Sequence, residues 1–487
     1  MRKSSTIKNE IFVTSEIGRL KRLMIHSPDS GLGKVVPSKA QDWLFEDIIH
    51  LDKMRKEEYD YYVKILLYFL DPEKIKGKMK EVDAPEANRE FYKPDSTQYF
   101  KSDKVIDPQY LLSEILKNND VKIRLVSAVC AIEKCSFETQ HRLVGLSDID
   151  LAKTLVSGSL PDKTMLFPPV PNFIFTRDIG IVINDHILLN SPAKLVRMRE
   201  SLMMKYIFNH HDLFQNYRDK IIEITEDEHH FFATDEEKED YRVTLEGGDV
   251  MTISNDHILI GCSERTTPKA VNQVISALFE RNVVRKVSVI EIPAKRDFMH
   301  IDTVFTQVKR NVWVLYENLF VPKKKKANET FYQKTDADEA LHVRIKQYEK
   351  GRKKPKNFKS IKDLLKNISF EDFRCNDEVK FIYSGNREFP FASREQWTDS
   401  CNVLALKEGV VVGYDRNTKT AEAFKKYGFE VITAGELLEK FEQGTLQPDD
   451  VKDTLILLPS AELSRARGGS HCMSLPLLRE DIFTEIG

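Results

Sequence analysis

Two stretches of the chain read almost alike: RDIGIVINDHILLN over 177–190 and GGDVMTISNDHILIG over 247–261. In each, an aspartate (Asp178, Asp249) stands six residues before an Asn-Asp pair. Apolar residues on both sides of a two-residue turn signal predict a β-hairpin. Looser versions recur at 299–316 (MHIDTVFTQVKRNVWVLY) and 402–417 (NVLALKEGVVVGYDRN), and GRLKRLMIHSP at 18–28 opens a fifth. Helical patterns separate them. ERTTPKAVNQVISALFERN (264–282) begins on threonine caps and Pro268, and TAEAFKKYGFEVI (420–432) ends its helix at Gly428. Repeated hairpin–helix units are α/β modules, and several such units can close into a ring. The expected fold is therefore a five-module α/β propeller. A ring brings the starts of its first strands to one mouth, which would gather Asp178, Glu246, Asp249, His300 and Asp302.

Two regions break the rhythm. Residues 53–165 lack hairpin signals and read as an inserted, mostly helical subdomain. Residues 322–380 carry basic runs, PKKKKANET and YEKGRKKPKNFK, and read as a solvated surface insertion within the propeller of 1–52 and 166–487. The 74 basic and 76 acidic residues of the 487 nearly cancel, so no overall field favours nucleic acid or a membrane surface. The longest apolar run, YYVKILLYFL, is short and interrupted by Lys64, too little to span a bilayer. Six cysteines at irregular spacing are no disulfide framework and offer no zinc motif. A reduced, cytoplasmic protein is expected, with a small-molecule substrate, no cofactor and no metal. His210-His211 and His229-His230 lie in polar segments and read as loop residues rather than ligands. The expected assembly is a homo-oligomer.

One cysteine stands apart. SRARGGSHCMSLP (464–476) places Cys472 behind Arg465, Arg467 and two glycines. Positive surroundings lower a thiol's pKa, and the thiolate is the reactive species. Cys472 is accordingly the candidate nucleophile.

Taken together and in order, NFIFTRD (172–178), LEGGDV (245–250), MHIDTVFT (299–306), REQWTDSCNV (394–403), GYDRNTKT (413–420) and SRARGGSHCMSLP resemble the arginine deiminase family of the guanidino-modifying (pentein) superfamily. The resemblance covers most of the chain, leaving out the regions near 70–110 and 322–380. It implies metal-free hydrolysis of free L-arginine to L-citrulline and ammonia through a covalent cysteine intermediate. By the same resemblance, Asp178 and Asp302 clamp the guanidinium, Glu246 and His300 handle protons, Cys472 attacks, and Asp249 positions its neighbours. Arg197, Arg265 and Arg467 face the α-carboxylate with help from Asn172 and Asn402, while Phe175 and Leu44 pack on the substrate stem. A guanidinium is a planar cationic fork of donors, so carboxylates are its natural partners. One departure stands in the gate motif, where Ala466 replaces the family's glycine between the two arginines. The alternatives are an agmatine or peptidyl-arginine deiminase, an amidinotransferase, or a pentein that binds arginine without catalysis.

Overall fold

The computed structural model describes residues 10–28, 31–40, 42–43, 47–226, 234, 242–317 and 343–484. The repeated sequence becomes repeated structure. Gly180–Ile183 pairs antiparallel with His186–Leu189, Val250–Ser254 with His257–Cys262, Phe305–Lys309 with Val312–Leu315, and Leu404–Lys407 with Val410–Tyr414. In all four cases the second hairpin strand takes a parallel third strand: Ile221–Ile222, Lys286–Glu291, Lys380–Tyr383 and Thr454–Leu458. The fifth sheet is made from both ends of the described chain. Leu20–Met24 lies between antiparallel Leu475–Arg479 and parallel Val105–Ile106. Five sheets answer the expectation of a five-module α/β fold.

Helices follow the hairpins for legible reasons. Pro268–Glu280 starts on Pro268 behind Thr267, whose side chain accepts the backbone N–H of Ala270, and it buries Val271, Val274, Ile275 and Leu278 on one face. Thr418–Lys426 stops before Gly428, whose φ of +88° suits glycine.

The stretch 53–165 is mostly helical, but it packs on two cores. Asp60–Leu70 joins a core with Leu404, Val412 and Ile456 of the 404–458 sheet. The helices Pro108–Ile115, Asn119–Ile132 and Asp148–Ser157 share another core with Met203, Ile207 and Phe208 of helix Met198–His210. Within 322–380, Arg344–Glu349 extends the sheet of the second hairpin by pairing with Lys286–Glu291, so this part is woven into a module rather than lying on its surface. PKKKKANET lies outside the described residues, as do His229-His230. His211 caps a 3-10 helix and meets Glu114 at 3.0 Å. Among the described residues no helix is long and apolar enough to cross a membrane.

Candidate active site

The module grammar places the site residues. Asp178 lies in the 3-10 turn Thr176–Ile179, Asp249 in Gly247–Asp249 and Asp302 in Ile301–Thr303, each just before the first strand of its sheet. Glu246 and His300 are the residues that lead into two of these turns. The Gly247–Asp249 turn packs on both of the others. Gly248 is required for this: a Cβ there would stand 2.6 Å from His300 Nδ1. One tight cavity results. Its walls include Asp178, Glu246, His300, Arg265, Arg467 and Cys472, with Asn172, Phe175 and Ala466.

The thiol sits among acids, not bases. Cys472 Sγ donates to Asp302 Oδ2 at 3.4 Å. Burial pushes the thiol well above its ordinary value, and Asp302, Asp178 and Asp399 add to that push. The expectation that Arg465 and Arg467 acidify it is corrected. Arg465 turns to the surface and pairs with Asp47 at 2.8 Å, and the Arg467 guanidinium lies 3.3 Å over the Trp397 ring. Asn402, expected near the carboxylate end, clasps Cys472. Its amide donates to Sγ at 3.1 Å and its oxygen accepts the Cys472 N–H at 3.0 Å.

His300 Nε2 donates to Glu246 Oε2 at 3.0 Å. Burial works against the imidazolium, yet Asp178 and Glu246 outweigh it and push His300 up to about 10. Burial would raise Glu246, but Arg197 and His300 hold it below the usual carboxylate range. Asp249 stands behind this pair, accepting the Ile301 N–H at 3.0 Å and the Ser263 hydroxyl at 2.5 Å. Burial lifts it to about 7.

Arg197 has carboxylates on every side. Its guanidinium meets Asp178 Oδ2 at 2.9 Å, Glu246 Oε2 at 3.2 Å and Glu200 Oε2 at 3.0 Å. Asp178, Glu246 and His300 bring possible ligand atoms within 4.8 Å of one another, as a metal site would. The donor already seated on two of those three is a guanidinium. Arg265 approaches Glu246 at 3.7 Å, and Asn172 donates to the Trp43 carbonyl at 2.7 Å. Leu44 lies outside the described residues.

Two acceptors on carboxylates beside the thiol remain open. Asp178 Oδ1 and Asp302 Oδ1 are buried and have no hydrogen-bond partner among the described residues. The family model for arginine deiminase matches residues 139–479. The chain belongs to the arginine deiminase family. An arginine deiminase of Bacillus cereus (strain ATCC 10987 / NRS 248) is 30% identical over 487 residues, 98% of this chain and 100% of that one. One from Treponema denticola is 29% identical over 97% of this chain and 99% of its own. Among solved structures, an amidinotransferase from Microseira wollei overlays 96% of this chain and 97% of its own at 13% identity, with a TM-score of 0.46, too loose a likeness to argue from.

Sequence reasoning missed a layer behind the family's motifs. His471 Nδ1 holds Asp302 Oδ2 at 2.9 Å, and its Nε2 meets Glu16 at 3.1 Å. Arg177 reaches the same Glu16 at 3.3 Å. The histidine beside the cysteine therefore orients the carboxylate that meets the thiol. Glu200, three residues after Arg197, carried a readable helical pairing signal. Glu16 carried none.

Proposed function

We propose that the protein hydrolyses the guanidinium of free L-arginine to L-citrulline and ammonia, with Cys472 as the nucleophile. The observation that carries this is the pair of buried, unpartnered oxygens, Asp178 Oδ1 and Asp302 Oδ1, on the two carboxylates that flank the thiol. An unpaired buried acceptor is costly, and a planar fork of N–H donors satisfies two at once. The guanidinium of Arg197, already bonded to Asp178 and Glu246, supports the same receptor chemistry from within the chain.

The steps follow from the charges. Before substrate arrives, the carboxylates keep Cys472 protonated. A guanidinium cation placed between Asp178 and Asp302 offsets them and lowers the thiol's pKa. The thiol releases its proton to solvent, and the thiolate adds to the guanidinium carbon. His300, still an imidazolium at neutral pH, donates its proton to the departing ammonia. The neutral imidazole next takes a proton from water, and that water cleaves the thiouronium to the ureido product and free thiol.

At the other end, the substrate α-carboxylate goes to Arg265 and Arg467, and Arg197 joins them by exchange. As the substrate's guanidinium takes Asp178, Arg197 leaves that carboxylate and turns to the substrate's own. Agmatine has no carboxylate to offer it. Losing one partner of a buried charge pair costs roughly 2–5 kcal/mol, so arginine should exceed agmatine in kcat/KM by about one and a half to four decades. Incubation with free arginine, agmatine and a blocked arginine peptide, assayed for ureido product, tests the reading. A preference for agmatine or the peptide would overturn it. Six unpaired cysteines support a reducing, cytoplasmic setting.

A further inference from the structure

The wall that carries Arg467 and leads to Cys472 is held by a helix more than 400 residues earlier in the chain. Leu463–Ala466 is a short 3-10 helix with no side-chain cap of its own, and Arg467, at its end, has a left-handed φ of +61°. The first N–H groups of any helix need acceptors. Glu58 supplies them from outside. Its carboxylate accepts the Glu462 N–H at 2.9 Å and the Leu463 N–H at 2.7 Å, and its side chain is buried. Glu58 lies in the π-helical turn Met54–Tyr59, a local widening of the kind often found at functional sites.

One turn later, Tyr62 donates its hydroxyl to the Ser470 carbonyl at 3.1 Å. Residues at i and i+4 share a helix face. A single face therefore grips both ends of 462–470, the segment that includes Ala466 and Arg467 of the cavity wall. Further ties converge on the start of that segment. The His50 N–H donates to Glu462 at 2.8 Å, and Arg416 donates to Ser464 at 2.7 Å.

We infer that Glu58 and Tyr62 form a two-point brace that sets the 462–470 wall, which makes Glu58 a positioning residue for substrate binding at the site proposed above. The brace touches neither the reacting atoms nor the clamp, so it governs binding more than chemistry.

The test has a substrate-dependent arm and a substrate-independent one. In E58A, KM for arginine should rise about tenfold while kcat changes less than about threefold, and Y62F, which removes only a hydroxyl, should show a smaller rise of about threefold. E58Q, which keeps one acceptor oxygen, should fall between E58A and the unsubstituted protein. In the same variants, iodoacetamide should alkylate Cys472 faster, with the rates at the buried Cys401 and Cys262 unchanged. A KM and a Cys472 alkylation rate in E58A that match the unsubstituted protein would overturn the inference. So would parallel acceleration at Cys401, which means general loosening. Alkylation needs no substrate. If arginine proves not to be turned over, selective exposure of Cys472 still upholds the brace, and only the reading of the substrate fails.

Discussion

At Cys472 the local sequence and the local structure point opposite ways. Two arginines within seven positions suggested an activated thiol, but one of them pairs with Asp47 at the surface and the other stacks on Trp397. Sequence neighbours are not spatial neighbours once a glycine-rich turn intervenes, and the acids around the thiol come from 302, 178 and 399. The proposed nucleophile could be singled out in the sequence, because its motif is contiguous. Its ionisation could not be read there. The free protein should therefore be inactivated by iodoacetamide at a rate that climbs only above pH 9, later than an ordinary thiol. An inflection below pH 8 would mean that the resting thiol is already activated and that the substrate's charge plays no part in forming the nucleophile. Cys472→Ala should abolish turnover. Mass spectrometry of a quenched reaction should place the substrate adduct on the Cys472 peptide, and an adduct on any of the other five cysteines would remove Cys472 from the role.

At the scale of elements, the hairpin repeat was legible because a two-residue turn between apolar runs is a local signal. So was the helix at 268–280, from its cap and its apolar face. The 3-10 turn before each first strand was not read as an element, although it positions Asp178, Asp249 and Asp302 alike. Such turns are short and have no periodicity to read. The strand at 344–349 was missed for a different reason. Its partner lies far away in sequence, and its arginine and lysine mimic a solvated run. The EGGD turn gives a sharp test of element geometry. Gly248→Ala should force the His300 ring to shift, because the new Cβ would stand 2.6 Å from Nδ1. Loss of about 1.4–2.7 kcal/mol of transition-state stabilisation corresponds to a tenfold to hundredfold lower kcat. The melting temperature should fall by only a few degrees. A Gly248→Ala enzyme with unchanged kcat would show that the imidazole's place does not depend on this turn.

For the molecule as a whole, the decisive residue is one that no motif announces. Glu16 precedes the strand Leu20–Met24, which pairs with Leu475–Arg479 and so joins the beginning of the chain to its end. Its carboxylate accepts from Arg177 of one module, from the Thr252 N–H of the next at 3.3 Å, and from His471 beside Cys472. Arg479 completes the junction by donating to the Gly18 carbonyl at 2.7 Å and the Ala405 carbonyl at 2.9 Å. Three sequence-distant modules thus meet at one buried charge, which could not be read locally because each contact spans well over a hundred residues. Burial alone would raise the Glu16 pKa, but Arg177 and His471 hold it far below the usual 4.5. A depressed carboxylate contributes stability that is present above its unfolded value and lost as pH falls toward its folded one. Breaking one partner of a buried charged cluster typically costs about 3–5 kcal/mol. Glu16→Gln should therefore melt well below the unsubstituted protein at pH 7, and the gap should narrow steadily as pH drops below about 4.5. Because His471, which holds Asp302 through its other nitrogen, would lose its charged anchor at Glu16, kcat should fall as well. Melting curves of both proteins from pH 3 to 8 decide the matter: a gap that stays constant with pH, or none at pH 7, would show that the charge of Glu16 does not hold the modules together.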